Sequence, residues 1–252
     1  MILPLVVVAF LVFARIAALL TTMPLVSGVG VPVWSRLALA VPLTAVLLPT
    51  AGTYTGDYTL SALVAAVTRE VLMGGAMGFV VQAVFHVLSS AFEAIGSQAG
   101  LSVGGFFDPL LKSQSSVLAS LATWLATGAF LGADMHLACI RALSLSFERA
   151  PPGTPLLGPE AIMNMLSFCE ACFRAGVELA GPLTIFTFLI HLGQSLLARM
   201  APNIQLFWAI GPVLSVGFGL LVMAASLPAI LNGWFTLLPQ ALDVMNALPG
   251  GR

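Results

Sequence analysis

Long apolar runs, several of them carrying charge in their interior, constrain this chain more than any single motif. They cover approximately Ile2 to Met23, Leu37 to Leu48, Leu60 to Phe92, Val117 to Phe147, Ala161 to Leu197 and Ile204 to Leu231, and an amphipathic tail, Leu237 to Leu248, follows. A helix needs about 20 apolar residues to cross the hydrocarbon of a bilayer. Most of these runs are long enough, while the second is too short to cross unaided. Neither strand-like alternation nor an internal repeat is present, so the fold is expected to be all-α and membrane-associated, a single domain over residues 1–252.

Charge then separates these runs from ordinary membrane spans. Arg15 lies in the first, Arg69 and Glu70 in the third, Asp134 and Arg141 in the fourth, and Glu170, Arg174 and Glu178 in the fifth. A charge in hydrocarbon costs at least about 2.5 kcal/mol, so such groups normally face protein or water. Glu170, Arg174 and Glu178 stand at i, i+4 and i+8, one helix face with alternating sign. Asp134 and Arg141, seven apart, also share a face. The expected role of both sets is structural ion pairing. Arg36, Lys112, Arg149, Arg199 and Arg252 are scattered over different breaks, too evenly to orient the chain by the positive-inside rule. Helices with internal charge and no topogenic bias suit a protein placed by its partners.

Composition excludes several classes. Hydrophobic residues make up 59% of the chain and charged residues 8%, and the mean hydropathy is +1.05. Soluble domains carry about 25% charged residues, so the outer face must meet lipid or other subunits. A net charge of −1 leaves no basic patch for nucleic acid. The start lacks a basic segment and holds Arg15, so it reads as a retained first helix rather than a signal peptide. Cys139, Cys169 and Cys172 form neither a disulfide framework nor a four-ligand metal site and read as small core residues. Most of the methionines likewise read as packing.

Small-residue and proline patterns add local detail. Gly74 and Gly78 have the GxxxG spacing that lets helix backbones approach closely, here toward partner surfaces. Gly181-Pro182 and Gly211-Pro212 should bend or end the runs that hold them. Broken helices with ionisable neighbours also occur in secondary transporters, which keeps that function as an alternative. Gly100-Leu-Ser102-Val-Gly104 fits GxSxG, but a nucleophile elbow needs a strand before the serine and a histidine partner. His86, His136 and His191 have no such context, so an intramembrane serine protease ranks below the transporter. No cofactor motif is present.

Four segments together resemble one family. They are "ARIAALLTTMPLVSGVGVPVWSRLALA" with Arg15, Pro24, Pro32 and Arg36; "GLSVGGFFDP"; "LGADMHLACIRALSLSF"; and "LLARMAPNIQLFWAIGPVLSVGFGLL" with the Arg199-Met-Ala201-Pro202 turn before Gly211-Pro212. The chain resembles, over nearly its whole length, the FliR family of the type III export gate and its injectisome counterpart. It departs from the family pattern at Asp134-Met135-His136, where Asn-Gly-His is usual. The added carboxylate there is placed for neutralisation by Arg141.

The resemblance implies a non-enzymatic subunit of helical hairpins, part FliP-like and part FliQ-like, with no cofactor. It implies assembly with FliP- and FliQ-like subunits, and contact with FlhB- and FlhA-like components, lipid and unfolded export substrates. The expected place is the bacterial inner membrane at the base of a flagellum or injectisome, with much of the assembly on the periplasmic side. It also implies that residues 99–116 are a pore plug. In that plug Phe106 and Phe107 would supply a dry apolar seal, Gly100, Gly104 and Gly105 would let the loop fold without side-chain clash, and Asp108-Pro109 would end it.

Overall fold

A computed structural model describes residues 2–27, 31–98, 117–154, 158–200 and 205–250. Nine α-helices are seen among them: α1 (Ile2–Thr22), α2 (Pro24–Ser27), α3 (Val33–Leu47), α4 (Leu60–Gln98), α5 (Val117–Gly132), α6 (Met135–Arg149), α7 (Pro159–Met200), α8 (Gln205–Phe235) and α9 (Leu237–Ala247). No strand occurs among the described residues, and the protein is all-α. Among the described residues five helical stretches are long and apolar enough to cross a membrane, or six if α5 and α6 count as one broken span. Two compact units divide the chain: residues 1–85, 129–171 and 237–252 form the first, and residues 86–128 and 172–236 the second.

In the first unit α1 is the central element. Val8, Leu11, Val12, Ile16, Leu19 and Leu20 are buried, while Leu5, Val6 and Phe10 are exposed. The helix ends where the Thr21 and Thr22 hydroxyls bond back to the carbonyls of residues 17–19, just before Pro24. The residue ahead of a proline is biased away from helix, which places the stop at Met23. α3 packs on α1 through Ala40, Thr44 and Leu47, one face at i, i+4 and i+7, and leaves Trp34, Val41 and Val46 exposed. It begins at Val33, four residues before the apolar run does, and the 3-10 turn Leu48–Thr50 extends it. The stretch Val33–Thr50 therefore reaches spanning length, contrary to the sequence expectation. The polar Ser35 and Arg36 in its first turn hide that start.

α4 approaches α1 more closely than ordinary side chains allow. A Cβ at Gly74 would collide with the Arg15 carbonyl oxygen, and one at Gly78 with the Thr22 hydroxyl. The GxxxG pair thus serves packing within this chain rather than a partner surface, which corrects the sequence reading. Gly75, by contrast, would meet nothing within 4 Å. Neighbouring substitutions should therefore have opposite signs. Gly75→Ala is expected to stabilise by about 0.5–1 kcal/mol through helix propensity, and Gly74→Ala to destabilise by about 1–3 kcal/mol through overpacking. Unfolding midpoints in detergent check this, and equal shifts would show that the α1–α4 contact is loose.

The fourth apolar run is broken. α5 ends at Gly132, and Asp134 adopts a left-handed backbone, φ 54°, before α6 begins. Asp and Asn tolerate this region better than other non-glycine residues. α6 then buries Cys139, Ala142, Leu143, Ser146 and Phe147, and it packs on α9, whose Leu237, Leu238, Ala241 and Met245 are the buried face of the amphipathic tail. Arg149 Nη1 donates to the Asn246 carbonyl at 2.6 Å and fastens the end of α6 to α9.

α7 and α8 do not end at their prolines: Pro182 lies inside the 42 residues of α7, and Pro212 inside α8. One proline removes one i→i−4 bond, and a long apolar segment has no other way to satisfy its remaining backbone groups. In the second unit α8 packs on α7, where a Cβ at Gly233 would stand 3.0 Å from the Leu179 side chain.

Candidate functional site

The first unit is built around a buried ion pair that the sequence does not reveal. Arg15 on α1 and Glu70 on α4 are both 0% exposed, with Arg15 Nε 2.6 Å from Glu70 Oε2. Arg15 Nη1 donates to the Ser146 carbonyl at 3.1 Å and to its hydroxyl at 3.0 Å, and Nη2 donates to the Ala150 carbonyl at 3.0 Å. The guanidinium carbon also sits 4.3 Å from the centre of the Phe147 ring. Glu70 Oε1 accepts from the Gly153 N–H at 2.8 Å, and the Ser146 hydroxyl donates to the Leu143 carbonyl at 2.7 Å. Three helices and the turn after α6 are thereby joined through one cation.

Gly153 is required there on two grounds. Its φ is +83°, and a Cβ would run into the Tyr54 ring. The turn can thus bring a backbone N–H against Glu70 only with glycine at this position. Both carboxylate oxygens are occupied, one by a guanidinium and one by an amide. The network is suited to holding α1, α4 and α6 in register.

The second notable surface is the open face of α7. Ala161, Phe168, Cys172 and Thr187 are buried along one side of the helix. The opposite side carries Leu166, Phe173, Val177, Ile185, Phe188 and Met200, all exposed, with Phe173 76% and Met200 83% accessible. Glu170, Arg174 and Glu178 are exposed on that same side, so the expected ladder does share a face. Water does not suit the aromatics of this face, and lipid does not suit its charges.

The other expected site residues fall as follows. Asp134 and Arg141 are exposed, and no ion pair joins them. The left-handed residue at Asp134 places it outside α6, so the seven-residue spacing does not lie on one continuous helix. Arg199 is exposed in the last turn of α7, and Ala201 and Pro202 lie outside the described residues. Gly100, Ser102, Gly104, Gly105, Phe106, Phe107, Asp108, Pro109 and Lys112 lie outside them too. Among the described residues no group of three His, Cys, Asp or Glu could hold a metal, and none of the three cysteines forms a disulfide.

The Arg15–Glu70 pair went unread because 55 residues separate the partners. One signal could have suggested it: each is a charge in an otherwise apolar run, and buried charges require a partner.

Similarity to known proteins agrees with this architecture. The family described as bacterial export proteins, family 1, matches residues 6–241. The chain is 31% identical over 241 residues to the flagellar biosynthetic protein FliR of Caulobacter vibrioides, covering 95% of this chain and 96% of that one. It is 34% identical over 217 residues to the FliR of Escherichia coli, covering 86% and 82%. With the Yop proteins translocation protein T of Yersinia pestis it shares 26% identity over 163 residues, covering 64% and 62%. An all-α chain of membrane-length helices, tied by a buried ion pair and matched nearly end to end, belongs to the family of bacterial export proteins to which FliR belongs, a family of export components and not of enzymes.

Proposed function

We propose that this chain is a core subunit of a type III protein export gate, which forms the pore with FliP- and FliQ-like subunits and helps to seal it with the loop at residues 99–116. The open face of α7 carries the proposal. A surface combining Phe173, Phe188 and Met200 with Glu170, Arg174 and Glu178 is stable only against other protein, which can cover the rings and pair the charges. Partner subunits are the natural cover. FlhB- and FlhA-like components are further neighbours in this reading, and unfolded proteins are the cargo.

The proposed location is the bacterial inner membrane at the base of a flagellum or injectisome, with much of the assembly on the periplasmic side. Partner contact in place of lipid accounts for the exposed charges of α7 and for the even spread of Lys and Arg. Within the 99–116 segment, Phe106 and Phe107 act as a dewetting constriction, and the glycines at 100, 104 and 105 leave it free to move aside for a passing chain.

Expression tests the reading. Alone, the chain is expected to aggregate or be degraded. Co-expressed with FliP- and FliQ-like subunits from the same genome, it should be recovered in a common complex through a tag on a partner. A monodisperse monomer in detergent that ignores both partners would overturn the proposal.

A further inference from the structure

The first unit holds an open cleft of about 410 Å³ between the start of α7 and α9. Asn164 and Ser167 on α7 line one wall, and Gln240 and Asp243 on α9 line the other. Phe168, 4% exposed, and Val244 add an apolar lining. The four polar side chains are exposed, and none of them makes a hydrogen bond or ion pair among the described residues. Both walls belong to stretches apolar enough to cross a membrane, Pro159–Leu197 and Gly219–Ala247. Polar groups gathered around an apolar lining have the make-up of a protein-binding surface, and neither lipid nor water suits all of it.

We infer that this cleft binds a short non-helical segment of a neighbouring subunit, carrying a Lys or Arg that meets Asp243. The inference rests on the export-gate reading and adds the chemistry of one contact. Asn164, Ser167 and Gln240 each carry both donors and acceptors. That set matches a peptide backbone, where every residue except proline offers one N–H and one C=O. Inside a helix those groups are already taken, so a helix would leave three such side chains without backbone partners. A loop or extended stretch keeps its backbone groups available. Asp243 is the one charged residue that lines the cleft among the described residues, and its carboxylate favours a cationic side chain over an anionic one.

The test uses the full chain co-expressed with FliP-, FliQ-, FlhB- and FlhA-like components of the same genome. Benzoylphenylalanine replaces Ala247, one turn beyond Asp243 in the lining of the cleft, and the cells are irradiated. A light-dependent adduct should join the chain to one of those components, at a segment that holds a Lys or Arg and lies outside its apolar helices. Asp243→Lys should lower that adduct by at least about tenfold, the scale of like charges brought together at an interface. Asp243→Glu should retain most of it. In the Asp243→Lys background, changing the basic residue of the adducted segment to Glu should restore the adduct. That rescue could not occur if Asp243→Lys merely prevented folding.

A parental adduct from Asp243→Lys would overturn the inference, as would an adduct inside a partner's apolar helix or a reversal that restores nothing. Adducts confined to lipid, to exported cargo or to a second copy of this chain would also overturn it and name that occupant instead. If the parent chain joins none of the components, the export-gate reading fails and takes this inference with it. A complex that assembles without any adduct from the cleft removes the inference alone.

Discussion

Arg15→Ala is expected to cost about 3–5 kcal/mol of stability, a large part of what holds a typical domain folded. The loss is that of breaking a buried pair from one side. Glu70, 0% exposed, would be left with only the Gly153 N–H to meet it, and the Ser146 and Ala150 carbonyls would each lose a donor. The truncation also empties the space against Phe147. Glu70→Ala should cost a similar amount, because it leaves the guanidinium uncompensated. The double variant, Arg15→Ala with Glu70→Ala, should be less destabilised than the sum of the two, with a coupling of about 1–3 kcal/mol. Unfolding midpoints or protease resistance of the detergent-solubilised protein measure all three. If Arg15→Ala stays within about 0.5 kcal/mol of the parent, the network is ornamental and the α1–α4–α6 junction is held by apolar packing alone.

Hydropathy carries the position and type of most helices here, because a membrane-length apolar run has few other ways to satisfy its backbone. What it misses is instructive. The start of α3 is concealed by Ser35 and Arg36, since polar residues in a first turn look like loop. The break at Asp134 is concealed in the opposite way, by apolar residues on both sides of a left-handed residue that only the backbone geometry reveals. Pro182 and Pro212 do not end their helices, because the loss of a single backbone bond does not terminate a segment whose alternatives are worse.

Tertiary pairing accounts for the remaining gap. Glycine at 74 and 78 signals a close approach, but the sequence does not say that the approaching backbone is α1 of the same chain. Likewise Arg15 and Glu70 each announce the need for a partner without naming it. The ladder at Glu170, Arg174 and Glu178 was legible because its spacing is local, fixed by 3.6 residues per turn. Locality is the dividing line. Relations within a helix can be read from the sequence, whereas relations between helices need the fold.

Replacing both Phe106 and Phe107 with Ala is expected to make cells leak ions while export continues. In the proposed gate these rings are the dry part of the plug, and an apolar constriction stays closed to ions because water does not fill it. Two alanines remove most of that apolar surface, widen the constriction and allow a continuous column of water. The backbone freedom given by Gly100, Gly104 and Gly105 is untouched, so the loop should still move aside for cargo. Assembly should also survive, because the ion-paired junction and the open face of α7 lie on other segments of the chain. Ion efflux or growth in low-sodium and high-sodium media reads the leak, and secreted protein reads export. Lys112→Ala, outside the proposed seal, is the control and should leave conductance at the parental level. A double variant that assembles and remains as tight to ions as the parent would assign the seal to other residues and leave Phe106 and Phe107 a packing role.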